Sequence, residues 1–162
     1  MASERVHTYL QTHQYAEQIL TFSESTATVE QAAKALNVIP ARIAKTLAFY
    51  TSEGTAFLVV AAGDAKIDNA AFKVAFQVKA KMLSPDDVLT YTGHPVGGVC
   101  PFALATNIPV YLDISLQRFT TVFPACGTAN SAIELTCEQL QQLSNAKNWV
   151  NVCKAWNSEV NQ

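Results

Sequence analysis

The chain has 162 residues, 49% of them hydrophobic, which suits one domain with a real core and leaves no compositional case for disorder. A formal net charge of −2 excludes a protein that coats nucleic acid by bulk electrostatics, while leaving room for a local basic patch that holds the end of one RNA. No apolar run approaches the roughly 20 residues of a membrane helix, and Met1-Ala2-Ser3-Glu4-Arg5-Val6-His7 lacks the form of a signal peptide, so a cytoplasmic protein with no membrane partner is expected.

Residues 3–13 read as a short leading helix and Ile19-Leu20-Thr21-Phe22 as a brief strand. Thr28-Val29-Glu30-Gln31 is a capping-box pattern, with Val29, Ala32, Ala33 and Leu36 at helical spacing behind it. Asn37 closes that helix ahead of Pro40. Ile43 to Tyr50 and Thr55 to Ala61 read as strands joined by Thr51-Ser52-Glu53-Gly54, a hairpin signal. Asp68 caps a helix carrying Ala71, Phe72, Ala75 and Phe76. Ser84-Pro85-Asp86-Asp87 places a serine cap, a first-turn proline and two acids at the positive end of another helix, which Gly93 closes. Val110-Tyr111-Leu112, Thr121-Val122-Phe123 and Ala132-Ile133-Glu134-Leu135 are further strands; Thr136-Cys137-Glu138-Gln139 is a second capping box, before Leu140 and Leu143. The irregular alternation, with several hairpin-like joins, predicts a mixed α/β (α+β-like) fold: a mostly antiparallel, barrel-like sheet flanked by helices. No repeat or low-complexity linker divides residues 1–162, so one domain is expected.

The segment Gly93 to Ala103 concentrates three of the six glycines and two of the six prolines. Consecutive N–H groups at Gly97, Gly98 and Val99 would form a concave donor surface for an anion or a developing oxyanion. Packing alone does not need such a loop, which is therefore read as the wall of a site. Lys45 shares a strand face with Ile43, Leu47 and Phe49, which should point into the core. Two readings of it stand: a strand-end lysine that snorkels to water, or a cation at a pocket rim aimed at a phosphate or carbonyl. Cys100 invites a nucleophile reading with His94 as base, but no carboxylate is placed to orient the imidazole. Inert packing suits a buried cysteine better, with its peptide N–H mattering more than its sulfur, and His94 is most simply a turn residue. Asp113 reads as a cap for a short helix or as a strand-end carboxylate that orders the site; Asp64 reads as a turn residue. Cys100, Cys126, Cys137 and Cys153 form no C-x-x-C pair, and His7, His13 and His94 complete no metal-ligand spacing, so reduced thiols and neither metal nor cofactor are expected.

Taken in order, Thr28-Val29-Glu30-Gln31-Ala32-Ala33, Ala44-Lys45-Thr46-Leu47, Ala62-Gly63-Asp64 with Ile67-Asp68, Gly93 to Ala103, Pro109 to Asp113 and Gly127 form a set that resembles the YbaK/EbsC family of aminoacyl-tRNA deacylases. That family is related to the editing insertion of bacterial prolyl-tRNA synthetase. The resemblance covers about residues 25–145. It implies a metal-independent hydrolase that removes a wrong amino acid, cysteine or alanine, from the terminal ribose of tRNA(Pro). It also implies that Lys45 holds the terminal adenosine or its phosphate, and that N–H groups of Gly97, Gly98, Val99 and Cys100 stabilise the oxyanion. Thr46, Gly93, His94, Pro101, Phe102, Asp113 and Gly127 are the implied substrate-binding positions. The acceptor end of an aminoacyl-tRNA is the implied partner, with prolyl-tRNA synthetase as a second; a homodimer follows only from general frequency. Two departures stand out: Cys100 replaces the serine of many relatives, and Thr128-Ala129-Asn130 follows Gly127 where relatives often have a basic residue and a second glycine. Asn130 can still supply the left-handed conformation. The tail from Trp149 to Gln162 lies outside the resemblance. An esterase for another small acyl ester, or a non-catalytic nucleotide- or partner-binding module on the same fold, are the alternatives.

Overall fold

The computed structural model describes residues 2–156; residues 157–162 of the tail are outside the described part. In chain order the elements are α1 (Ala2–Thr12), β1 (Leu20–Thr21), α2 (Val29–Leu36), β2 (Ile43–Tyr50), β3 (Ala56–Ala62), β4 (Lys66–Ile67), α3 (Asn69–Phe76) and α4 (Pro85–Thr92). They continue as β5 (Val110–Asp113), β6 (Thr121–Pro124), β7 (Ser131–Ala132), β8 (Leu135–Thr136), α5 (Cys137–Ser144), β9 (Asn148–Val150) and β10 (Cys153–Lys154). None of these helices is long and apolar enough to cross a membrane.

Local chemistry sets the helix ends. Thr28 and Gln31 close a reciprocal capping box at α2, as Thr136 and Gln139 do at α5, so orphan N–H groups are satisfied at both starts. Asn37 and Asn145 end those helices in the left-handed conformation. Asp68 caps α3, and Ser84 caps α4 with Pro85 in its first turn. The leading helix and the caps therefore fall where the sequence placed them.

Six strands form the main sheet in the order β8-β6-β2-β3-β5-β9. The β2–β3 hairpin is antiparallel, β6 lies parallel to β2, and β5 lies parallel to β3. The pairs β1–β7 and β4–β10 are separate two-stranded ribbons, and the whole curls into a half-barrel. The main sheet is mixed, with two antiparallel and three parallel ladders, and the two ribbons bring the antiparallel count among the described residues to four. Every residue of β3 is buried because elements cover both of its faces. Phe49, Phe57, Phe72 and Phe76 pack ring against ring between the hairpin and α3.

One strand expectation is met only in part. The run 132–135 is interrupted at Ile133 and Glu134: β7 pairs with β1, β8 pairs with β6, and a bridge from Ala132 to Ala125 keeps the segment in the same antiparallel register along β6. Between them Ile133 is fully buried while Glu134 turns outward to Arg42, 3.3 Å away, and to the Thr121 hydroxyl. Ala132 thus faces β1 along one edge and the end of β6 along the other.

Asp113 ends β5 with no exposed surface. Its Oδ2 accepts from Ser115 N at 3.0 Å, capping the 3₁₀ turn 114–118, and its Oδ1 accepts from Val152 N at 2.9 Å. The cap reading of Asp113 is thus the geometry observed, with a second bond that ties the C-terminal segment to the sheet. Removing this carboxylate strands two buried N–H groups, so Asp113→Ala should cost about 2–4 kcal/mol in urea unfolding. A loss below about 1 kcal/mol would show that Asp113 is not such a tie.

Candidate active site

A cavity of about 370 Å³ lies over β2, between the first turn of α2, the start of α4 and the glycine-rich loop. Ala44, Ala48 and Phe123 form much of its floor; Val29, Val88 and Val96 wall it. Lys45, Thr46, Gly97 and Val99 also line it, so these candidate residues meet at one place. Gly93, His94, Gly98, Cys100, Pro101, Phe102, Asp113 and Gly127 do not border this cavity; they lie behind or beside it. Thr26, Ala27, Val29, Met82, Val88 and Phe123 were missed by the sequence reading. Each looks like an ordinary cap or core residue locally, and only the fold brings them together.

Lys45 stands at the cavity with its ammonium engaged by backbone. Its half-buried ammonium donates to the carbonyls of Gly63, at 3.4 Å, and Ala65, at the end of β3. Burial lowers its pKa below the usual lysine value, opposed in part by the charges of neighbours that include Asp64. Asp64 itself is held in a two-point ion pair by Arg118, at 2.6 and 2.9 Å. Among the described residues no carboxylate lies within ion-pair distance of Lys45. The ammonium sits beside an apolar cavity, held by two backbone carbonyls and with no ion pair among the described residues. Thr46, the next residue, has a buried Oγ1 with no hydrogen-bond partner among the described residues.

The loop departs from expectation in its donors. Gly98 N donates to Pro95 O at 3.0 Å, closing a turn, so this N–H is not free for an anion. Gly98 has another job: a Cβ there would sit 2.8 Å from the backbone of Thr128, so only glycine lets the loop lie against the turn after β6. Gly97 and Val99 are half-exposed on either side of it, and among the described residues their N–H groups donate no hydrogen bond. Of the four expected donors only Gly98 is engaged; the N–H groups of Gly97, Val99 and Cys100 donate no hydrogen bond among the described residues, and of these residues Gly97 and Val99 border the cavity. Gly127 has φ +92° and immediately precedes Thr128, against which Gly98 rests.

His94 and Cys100 pack inside the loop, with no exposed surface. The Phe102 carbonyl can only accept, so the 2.8 Å contact from His94 Nε2 fixes a proton on that nitrogen. Burial lowers the His94 pKa and keeps the ring neutral; its Nδ1 is buried with no partner among the described residues. Cys100 Sγ lies 3.6 Å from Nε2, the protonated nitrogen, which cannot act as its base. Burial pushes the Cys100 thiol up to about 12. This geometry matches the inert-packing reading of Cys100, and His94 acts as a clasp within the loop. Pro101 and Phe102 are likewise buried structural residues. Asn130 does not adopt the left-handed conformation; it holds Phe22 through its backbone carbonyl at 2.8 Å and its side-chain amide at 3.0 Å.

A curled mixed sheet thus carries an apolar cavity over its central hairpin, bordered by Lys45 and by Gly97 and Val99, whose N–H groups are unclaimed among the described residues. The chain belongs to the aminoacyl-tRNA editing domain family, whose model matches residues 23–143. It is 51% identical to YwhH of Bacillus subtilis (strain 168), over 96% of this chain and 99% of that one; that protein's name carries no activity. It is 27% identical to EbsC of Enterococcus faecalis (strain ATCC 700802 / V583), a candidate Cys-tRNA(Pro)/Cys-tRNA(Cys) deacylase, over 82% of each chain. A solved structure of a candidate trans-editing enzyme for prolyl-tRNA synthetase superposes with a TM-score of 0.84 at 27% identity, covering 94% of this chain and 97% of that one.

The orphaned Thr46 hydroxyl yields a sharp expectation. Thr46→Val keeps the shape and removes an unsatisfied buried group, so it should raise stability by about 1 kcal/mol in urea unfolding. A stability loss of similar size would mean that this hydroxyl has a partner in the folded protein.

Proposed function

We propose that the chain is a trans-editing hydrolase that deacylates mischarged aminoacyl-tRNA(Pro), carrying cysteine or alanine. The supporting observation is the meeting of Lys45 with Gly97 and Val99 at one apolar cavity. In this reading the amino acid's side chain enters between Val29, Ala44 and Val88. Lys45, lacking a carboxylate partner, holds the terminal nucleotide through its phosphate and so places the ester. Water, or the substrate's own thiol when the amino acid is cysteine, adds to the acyl carbonyl. The oxygen of the tetrahedral intermediate takes its hydrogen bonds from Gly97 and Val99 N–H. Collapse breaks the acyl–ribose bond, and the ribose oxygen leaves with the proton given up by the attacking water or thiol; the acyl product is the free amino acid or, after thiol attack, a cyclic thioester that water opens.

An aminoacyl ester is already activated, so placement and oxyanion stabilisation can supply much of the rate. The family membership and the relation of a structural neighbour to prolyl-tRNA synthetase support tRNA as substrate and that synthetase as a partner. Gly98 and Cys100 contribute by holding the loop's shape, and Asp113 by tying the sheet to the C-terminal segment. Gly93, His94, Phe102 and Gly127 shape the loop and the turn behind it.

The test is deacylation of tRNA(Pro) charged separately with alanine, cysteine and proline. Wild type should hydrolyse a mischarged species and spare Pro-tRNA(Pro). Lys45→Ala should lower that rate by about 100-fold, the scale of a misplaced substrate. Folded wild type inert on all three, or Lys45→Ala within about threefold of wild type, would count against the proposal.

A further inference from the structure

We propose that Arg5, on helix α1, is a positioning residue that locks the base of the glycine-rich loop and so presets its donors. Its Nη2 donates to Thr92 O at 3.3 Å and to Ala103 O at 3.0 Å. Thr92 is the last residue of α4 and Ala103 the last of the glycine-rich segment, so one nitrogen bridges both ends of the loop. The bridge needs Gly93: a Cβ at that position would lie 2.0 Å from Nη2. Ala103 has φ +50°, a strained conformation for a residue with a side chain, and its carbonyl is one that Arg5 holds.

Two further bonds close the same neck. Ala105 N donates to Thr92 O at 3.0 Å, and one layer inside His94 Nε2 donates to Phe102 O at 2.8 Å. The helix that carries Arg5 is fixed, because Val6 and Leu10 are fully buried in the main core. Arg5 makes no ion pair among the described residues, leaving its donors to the two carbonyls. Its charge also acts with burial to keep His94 neutral. α1 precedes the segment that the family model matches, so this clasp is added from outside it.

The activity part of the test rests on the proposed editing reaction, and a second readout does not. Arg5→Ala and Arg5→Lys would be compared with wild type by amide exchange in NMR and by deacylation kinetics. In Arg5→Ala, exchange at the hydrogen-bonded amides of Gly98 and Ala105 should accelerate about fivefold, the scale of one lost hydrogen bond, while Val59 in the core is unchanged. The kcat should fall by a similar factor with KM within about twofold, and Arg5→Lys should recover part of both effects. Unchanged exchange at Gly98 and Ala105 would overturn the proposal, as would equal acceleration at Val59, which marks general destabilisation. If wild type deacylates nothing yet these amides respond as described, the clasp stands and only the editing reading falls.

Discussion

The ladder between β2 and β3 is the constraint from which the rest of the molecule is built. It runs through consecutive pairs from Ala44–Ala62 to Tyr50–Ala56, with Lys45 opposite Ala61. A slip of one residue would send Lys45 and Thr46 each to the other face, taking the ammonium away from the Gly63 and Ala65 carbonyls. The burial of every β3 residue makes that slip expensive, because each side chain of the strand is already packed. Both neighbours then follow: β6 docks on the start of β2 and brings Phe123 to the cavity floor, while β5 docks on β3 and brings Asp113 to its end.

The site divides its labour between a stiff interior and an unoccupied surface. Inside the loop, His94, Cys100 and Phe102 are fully buried and engaged with one another. At its surface, Gly97 and Val99 keep N–H groups unclaimed among the described residues. The carboxylates of Asp64, Asp113 and Glu134 are each already bound, to Arg118, to two backbone N–H groups and to Arg42 with Thr121. No carboxylate lines the cavity among the described residues, and the Cys100 thiol is held up at about 12. The proposed reaction asks for neither, since its ester is reactive before it arrives.

Much of this was legible in the sequence because the signals are local. Capping boxes at Thr28 and Thr136 and the serine–proline start at Ser84 fix helix ends by chemistry within four residues. Lys45 was conspicuous because a charge on an apolar strand face must be accounted for. The glycine-rich segment announced a backbone with unusual demands, but not which demand each glycine meets. Gly98 is there to approach Thr128, a contact between segments far apart in the chain. The cavity walls at Val29, Val88 and Phe123 have the appearance of core residues, since an apolar pocket and an apolar core use the same side chains. The split of residues 132–135 into two strands was hidden for a related reason. It depends on the neighbours the segment meets, β1 and β6, not on its own pattern.

The most direct test of the central claim is an NMR titration with an adenosine that carries alanine through an uncleavable 3′-amide. The account predicts that the amides of Gly97 and Val99 shift together with Lys45 and Ala44 as this analogue fills the cavity. Shifts confined to another cleft, such as the one lined by Thr51, Phe76 and Tyr111, with Gly97 and Val99 unmoved, would contradict it.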